Sequence, residues 1–339
     1  MNSDKKKQRL ALLPIFLILV VVPLICHYQV YRTNLENCDW QAADVIYGVD
    51  IFLLPKGFAI CAVAVLMVIL FLYFNYYKAG LLTETYPLLV YALLIGFSTL
   101  CSRYKYFGIH GGQDQFESIF VLLGYLIIAI YCMYSVNREA IIQKVLKFLL
   151  CGAAIVSIIG IFQMLKLDPM RSKLGQALIL LGSGQTELTF NLPLGTVYAT
   201  LFNPNYVGTY ACLILPCAVA VGFATKKLAK RVFCIILSVA LLIITFGAGA
   251  KNGLISLGIS LLLIIIIYRR TLLKKLKWIL ISVATLLLII VGVNAITDNT
   301  IGNTMQTLLV SLKTLQSPVE RTIDNILTKD DEVEFVMKE

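Results

Sequence analysis

The amino-acid sequence predicts an all-α protein, a polytopic membrane bundle of about nine transmembrane helices with a cytoplasmic N-terminus. Of the 339 residues, 59% are hydrophobic and only 14% are charged, and the mean hydropathy is +0.85. Soluble domains carry roughly 25% charged residues, so this composition excludes an ordinary water-soluble enzyme. Apolar runs close to the roughly 20 residues that a helix needs to cross a bilayer recur along nearly the whole chain.

Nine apolar runs without any Asp, Glu, Lys or Arg define the predicted spans. They lie near residues 10–28, 58–76, 86–101, 118–136, 148–165, 206–224, 232–250, 254–268 and 278–296. The first run begins after a basic stretch, but no small-residue cleavage pattern precedes Tyr28, which favours a retained signal anchor. Residues 1–296 are therefore predicted to form the transmembrane domain, and residues 297–339 an extracytoplasmic tail.

The orientation follows from the distribution of basic residues. With the N-terminus inside, the short inner segments hold 17 of the 29 Lys and Arg, and the longer outer segments hold 12. Of the 19 acidic residues, only 3 are inside. Cytoplasmic loops carry an excess of Lys and Arg, so the membrane explains the net charge of +10 and no nucleic-acid partner is needed. The nine cysteines form neither a disulfide framework nor a metal-binding spacing, and no metal or cofactor is predicted.

The longer outer segments, near 29–57, 102–117, 166–205 and 297–339, are the predicted place of any chemistry. Residues 176–182 are apolar but too short to span, and we expect them to lie in the outer interface. Ser317 and Glu320 have capping-box spacing, with Pro318 at the first helical position. This pattern predicts a short amphipathic helix that reaches Leu327.

The stretch 200–208 (Thr-Leu-Phe-Asn-Pro-Asn-Tyr-Val-Gly) stands directly before the sixth predicted span. Asn203 suits an N-cap, and Pro204 suits the first position of a helix. The span would then begin at the outer face with free N–H groups and the positive end of its dipole, which favour an anion such as a phosphate. A helix start without a ligand is the alternative interpretation.

The link between the seventh and eighth spans, residues 245–253, contains three glycines and Lys251. A lysine at the bilayer centre costs up to about 3 kcal/mol, and less near the interface. Glycines let the backbone approach a ligand closely. Lys251 is therefore either a ligand-binding cation or a lysine that extends to solvent from a hairpin turn.

Residues 107–118 lead into the fourth span and contain two candidate catalytic residues. Glu117 at the membrane edge could contact a polar ligand or act as a general base, although acids at a helix start are commonly there for the dipole. His110 is one of two histidines, with His27, and a single loop histidine is usually a bystander.

Together, these stretches carry a family resemblance. The run Asn203-Pro204-Asn205-Tyr206 at the start of a span, followed by Gly208 and Pro216, is its most specific part. It resembles the O-antigen ligase and O-antigen polymerase superfamily of bacterial membrane proteins. Residues 115–118 (Gln-Phe-Glu-Ser) are similar to that family's Arg-aromatic-Glu-Gly element, and residues 250–253 lie where the family has a Ser-Arg-Gly-like turn. The resemblance covers residues 100–295.

The resemblance implies a glycosyltransferase of the bacterial cytoplasmic (inner) membrane that acts in cell-surface polysaccharide assembly. Members transfer a glycan from undecaprenyl pyrophosphate to a lipid-linked sugar acceptor at the outer face, without a cofactor, nucleotide sugar or metal. Lys251 would contact the pyrophosphate beside the helix start that Asn203, Pro204 and Asn205 shape. Arg103 and Arg171 are outer-face cations that would assist.

The sequence departs from the family at three places. Lys251 replaces an Arg, and lysine cannot form the same bidentate fork to a phosphate. Gln115 and Ser118 replace the usual Arg and Gly. The family also has a large outer loop after the ninth span, with an essential histidine and arginine, whereas no histidine follows His110 here. We therefore expect a truncated or partial member, whose catalysis alone is doubtful.

Two other classes fit the same spans. Ion-coupled transporters usually need carboxylates or broken helices at membrane depth, and the predicted spans contain no charged residue. A passive flippase for lipid-linked sugars does not have this requirement, and neither does a non-catalytic scaffold in polysaccharide assembly. Both remain alternatives to the glycosyltransferase.

Overall fold

The computed structural model describes residues 2–32, 47–274, 291–292, 294–295, 297, 301–307 and 309–310. In these residues the chain is mostly helical, as the composition predicts. The longer helices are α1 (Asn2–Phe16), α2 (Leu53–Tyr73), α3 (Tyr86–Cys101), α4 (Lys105–His110), α5 (Ile119–Ser135), α6 (Glu139–Met164), α7 (Lys173–Ile179), α8 (Pro204–Ala224), α9 (Leu228–Gly247) and α10 (Lys251–Lys274). A π turn (Leu17–Val21) and a 3-10 turn (Val22–Leu24) extend α1.

Within the residues that the structure describes, six helical segments are long and apolar enough to cross a membrane. They are Lys5–Leu24, Leu53–Tyr73, Thr83–Cys101, Glu139–Met164, Pro204–Ala224 and Leu228–Gly247. Two shorter apolar helices, Ile119–Ser135 and Lys251–Ile267, overlap the fourth and eighth predicted spans. Most of the ninth predicted span, 278–296, lies outside the described residues, as do Ser317–Glu320 and most of the predicted tail.

The helices pack around two hydrophobic cores that share α6. One core joins α6, α8 and α9, where Val156, Ala211 and Leu241 are fully buried. The other joins α1, α2 and α5, where Met67 is fully buried and the Tyr131 hydroxyl donates a hydrogen bond of 2.8 Å to the Ala11 carbonyl. Between membrane-spanning helices, close van der Waals packing and interhelical hydrogen bonds stabilise such cores.

Basic residues collect at one end of the bundle, which we call the basic end. Lys144 on α6 donates to the Gln8 side chain on α1 at 2.8 Å, and Lys230 on α9 donates to Gln143 at 3.1 Å. These bonds bring the starts of α1, α6 and α9 together. The opposite end, where α2, α5, α8 and α10 begin, is called the cavity end below.

One element differs from the all-α expectation. Strands β1 (Gln29–Arg32) and β2 (Tyr47–Asp50) form an antiparallel pair in the register Gln29 to Asp50. The strands are only four residues each, too short for a periodic pattern to stand out in the sequence. They lie at the cavity end, directly before α2.

A third, smaller core at the cavity end holds the connecting segments. It contains Phe52, Met170, Ile179 and Tyr198. The apolar run 176–182 is divided between this core and the surface: Ile179 is buried, whereas most of the leucines around it are exposed. Its predicted position in the membrane interface stays a prediction.

Candidate functional site

Lys56, in the first turn of α2, is a cation that no motif in the sequence marks as functional. Its ammonium donates to the carbonyl of Thr200 at 2.5 Å and to the carbonyl of Phe52 at 3.2 Å. It also lies 5.6 Å from the centre of the Phe52 ring. An ammonium has three N–H groups, so the two carbonyls leave one for a further partner.

Asp50 is a buried carboxyl group within the turn that precedes Lys56. One carboxylate oxygen accepts hydrogen bonds from the backbone N–H of Phe52 at 3.0 Å and of Leu54 at 2.8 Å, which caps the start of α2. Burial raises the pKa of Asp50, and the backbone hydrogen bonds and the nearby Lys56 charge oppose that rise. An acid and a base therefore share the start of one helix.

The segment 197–200, which supplies the acceptor for the lysine, is fixed by the buried side chain of Gln163. Its oxygen accepts from the N–H groups of Tyr198 at 3.1 Å and Ala199 at 2.6 Å, and its nitrogen donates to the Ala199 carbonyl at 3.1 Å. The Thr200 hydroxyl donates to the Pro23 carbonyl at 2.7 Å. The position of the Thr200 carbonyl, which accepts from the ammonium, is thus fixed by contacts with α6 and with the 3-10 turn that ends the first span.

A cavity of about 330 Å³ opens beside the lysine, and we call it the cationic cavity. Its polar wall consists of Lys56, Gln115, Glu117, Tyr125 and Tyr206. Three of these residues belong to stretches that carry the family resemblance, 115–118 and 203–206. The structure therefore brings two stretches that are about 90 residues apart in the sequence to one cavity, together with an ammonium group.

The backbone beside the cationic cavity adopts unusual conformations. Phe116 has φ 53° and Phe202 has φ 75°, in the left-handed region that non-glycine residues seldom adopt. Gly111 is needed for the first of these turns, because a Cβ on it would lie 2.5 Å from the Phe116 carbonyl carbon. Such conformations cost of order 1–3 kcal/mol each and occur preferentially at functional sites.

The predicted start of the sixth span is confirmed, with Asn203 as the N-cap and Pro204 as the first helical residue. The Asn203 side chain accepts from the Asn205 N–H at 2.9 Å, and its carbonyl accepts from Tyr206 at 2.9 Å and Val207 at 3.4 Å. Proline has no N–H group. The first turn is therefore satisfied within the chain, which favours a helix start without a ligand over an anion site made of free N–H groups.

The turn around Lys251 lies against the start of α8. A Cβ on Gly253 would lie 2.7 Å from the Gly208 Cα, and a Cβ on Gly208 would lie 2.5 Å from the Ala250 Cβ. The predicted turn is confirmed, since α9 ends at Gly247 and α10 begins at Lys251. Residues 250–253 are thus in contact with Gly208, close after residues 203–206 in the sequence. Lys251 itself lines neither of the two cavities described here, and its contact with a pyrophosphate stays a prediction.

The two arginines named from the sequence lie outside the cationic cavity. Arg171 forms an ion pair with the buried Asp168 at 3.2 Å and lies 4.9 Å from the centre of the Phe190 ring. Asp168 also accepts a hydrogen bond from the Tyr198 hydroxyl, and burial and this bond raise the pKa of that tyrosine. Arg103 is exposed, 5.8 Å from the ring of Tyr104. Partners within the chain therefore hold Arg171.

The two candidate catalytic residues face different cavities. Glu117 is exposed and lines the cationic cavity, whereas His110 lines a larger cavity of about 540 Å³, which we call the apolar cavity. The His110 ring stacks on Tyr106 with 4.2 Å between the ring centres. Of the two residues, Glu117 is the one that shares a cavity with Lys56.

The described part of the chain contains no group of three or more His, Cys, Asp or Glu side chains placed to hold a metal ion. Comparisons with protein-family models, with curated proteins and with solved structures found no match to this chain. The functional assignment therefore depends on the sequence resemblance and on the geometry of the cavity end.

Proposed function

We propose that this protein binds a glycan carried on undecaprenyl pyrophosphate and takes part in its transfer to a lipid-linked sugar acceptor. The observation that carries the proposal is the convergence at the cavity end. Gln115, Phe116 and Glu117 line one cavity together with Tyr206 and the ammonium of Lys56. Residues 250–253 pack against Gly208 in α8, the helix that carries Tyr206.

The proposal includes an orientation and a location. The predicted bundle has nine spans in the cytoplasmic membrane of a bacterium, and its basic end faces the cytoplasm. The gathering of Lys144 and Lys230 beside the N-terminal helix supports this orientation, because cytoplasmic segments are rich in basic residues. The cavity end then lies at the outer face, where a lipid-linked glycan is presented, with membrane lipids as the other partners.

In the proposed reaction, the acceptor hydroxyl oxygen forms a bond to the anomeric carbon of the donor sugar. The bond from that carbon to the pyrophosphate oxygen breaks, and undecaprenyl pyrophosphate leaves with the bonding electron pair. Lys56 stabilises the charge that develops on the leaving group. Glu117 accepts the proton of the acceptor hydroxyl as a general base. Lys251, Asn203, Pro204 and Asn205 are the proposed neighbours of the pyrophosphate.

The test is a transfer assay with the protein purified from its native membranes and reconstituted in liposomes. The donor is a radiolabelled glycan on undecaprenyl pyrophosphate, and the readout is label on the acceptor lipid. Transfer by the wild type would contradict the expectation that this chain alone is inactive, and such transfer should fall at least tenfold in Glu117→Gln, which removes the base. Glu84→Gln, the same change at an exposed acid near the start of α3, is the matched control.

The assay also separates the alternatives. Donor translocation across the bilayer without transfer would replace the proposal by a flippase. If the protein neither binds the donor nor transfers its glycan, the proposal is overturned. Transfer that is equal in the wild type and Glu117→Gln would contradict the role of Glu117 and leave the donor site to be tested at Lys56.

A further inference from the structure

The apolar cavity lies at the cavity end between β1, α2, α4 and α5. Most of its surface is hydrocarbon, with Tyr31, Phe58, Phe107 and Phe116 among the wall residues. Its volume of about 540 Å³ is within the range of small-molecule sites, roughly 300–1,000 Å³, which are mostly apolar with few polar groups. The proposed chemistry at Lys56 does not use this cavity.

The apolar cavity adjoins the cationic cavity, and the two share part of one wall. Gly57, Phe116 and Val121 line both cavities. A Cβ on Gly57 would lie 3.3 Å from the Val121 side chain, so α2 and α5 approach closely at this junction. The Phe116 ring packs edge-on against Tyr31, 4.8 Å between centres. A ligand that bridges the two cavities would place an anionic part beside Lys56 and an apolar part beside Phe58 and Phe107.

Exposed apolar side chains border the apolar cavity. Phe58 on α2, Ile109 on α4 and Phe120 on α5 line it and are each more than 40% exposed. The Tyr106 hydroxyl donates to the Arg32 carbonyl at 2.9 Å and ties α4 to β1. Phe58 is exposed on α2, which is long and apolar enough to span a membrane, so the proposed membrane position sets this side of the cavity against lipid.

We propose that the apolar cavity binds the isoprenoid chain of the lipid whose pyrophosphate lies at Lys56. This inference rests on the proposed function and adds the site of the lipid chain to it. The first isoprene units lie between α2, α4 and α5, and Phe116 separates them from the charged group. Cys61, which lines only the apolar cavity of the two, is at the position to report occupancy.

The first test compares the affinities of dimethylallyl and farnesyl pyrophosphate, which differ by ten carbons. We expect farnesyl pyrophosphate to bind at least about tenfold more tightly, because burial of each CH₂ is favourable. Cys61→Trp places a bulky indole in the cavity and should lower this ratio. Cys101→Trp, at an exposed cysteine at the end of α3, is the matched control and should leave the ratio unchanged.

A second measurement uses the wild-type protein, so it does not depend on folding of the Cys61→Trp variant. Alkylation of each cysteine is followed by mass spectrometry. We expect farnesyl pyrophosphate to protect Cys61 but not Cys101, and inorganic pyrophosphate to protect neither. Equal protection of Cys61 by a lysophosphatidic acid of similar length would overturn the isoprenoid assignment. An unchanged ratio in Cys61→Trp together with an unprotected Cys61 would overturn the site itself.

The result with Lys56→Gln separates this inference from the proposed function. Loss of affinity for both pyrophosphates by a similar factor supports the head-group site. If Lys56→Gln leaves both affinities unchanged while Cys61 is still protected, the proposed pyrophosphate site fails and the chain site stands.

Discussion

Replacement of Lys56 by glutamine is expected to weaken the binding of undecaprenyl pyrophosphate. Glutamine retains an N–H donor for the Thr200 and Phe52 carbonyls, which accept from the ammonium in the structure, but it removes the positive charge. The variant therefore tests the charge with less disturbance of the fold than alanine would cause.

The size of the effect follows from the position of the ammonium. Two unit charges 4 Å apart attract by about 1 kcal/mol in water and about 4 kcal/mol at an effective dielectric constant of 20. Lys56 is partly buried, so we expect its attraction to a bound anion to lie between these two energies. Hydrogen bonds to charged groups contribute about 1.5–3 kcal/mol, and about 1.4 kcal/mol is a factor of ten in Kd. We expect Kd to rise roughly 10- to 100-fold.

The assay is titration of the protein in lipid nanodiscs with undecaprenyl pyrophosphate, with the melting temperature recorded in parallel. Lys173→Gln, at an exposed lysine that opens α7, makes the same charge change away from the cationic cavity and should alter Kd by less than about twofold. A folded Lys56→Gln protein that binds within about twofold of the wild type would refute the electrostatic reasoning.

Three further predictions concern the framework of the site. Gly253→Ala should lower the free energy of unfolding by about 1–3 kcal/mol through overpacking against Gly208. Gly258→Ala is the control and should not lower it, because a Cβ there meets nothing within 4 Å. Equal melting temperatures of the two variants would disprove the close contact. Gln163→Leu leaves two buried N–H groups without acceptors and should cost roughly 3 kcal/mol in denaturant unfolding; a loss below about 1 kcal/mol would contradict this role. Because the folded-state pKa of Asp50 is raised above 3.8, its contribution to stability is fully present below that pH and is lost as the pH rises through the folded-state pKa. Asp50→Asn should remove this part of the pH dependence of melting, and an unchanged pH profile would count against it.

The helices could be predicted from the sequence because the length and composition of each apolar run are enough to indicate a membrane span. The cap at Asn203 and Pro204 and the turn before Lys251 could also be predicted, because both depend on residues that are neighbours in the sequence. The strand pair of β1 and β2 was missed, because four-residue strands carry little periodic signal.

The site itself could be predicted only in part. Residues 115–118 and 203–206 were chosen from the resemblance, but the meeting of Glu117 and Tyr206 at one cavity depends on helix packing that the sequence does not display. Lys56 was missed because a single lysine beside an apolar run is typical of a helix end near a membrane surface. Its importance comes from the carbonyl of Thr200, 144 residues away. The ion pair of Arg171 could not be predicted either: its partner Asp168 is three residues away, but the burial of that carboxyl group depends on tertiary packing.

The most direct test of the central claim is photo-crosslinking from inside the cationic cavity. Tyr206 is replaced by p-benzoylphenylalanine, and the protein is irradiated with radiolabelled undecaprenyl-pyrophosphate-linked glycan; the same probe at Leu213, an exposed position on α8, reports contact with membrane lipid. We predict labelling at Tyr206 that excess unlabelled donor abolishes and that Lys56→Gln strongly reduces, with no such competition at Leu213. Labelling at Tyr206 that neither the competitor nor Lys56→Gln reduces would contradict the account.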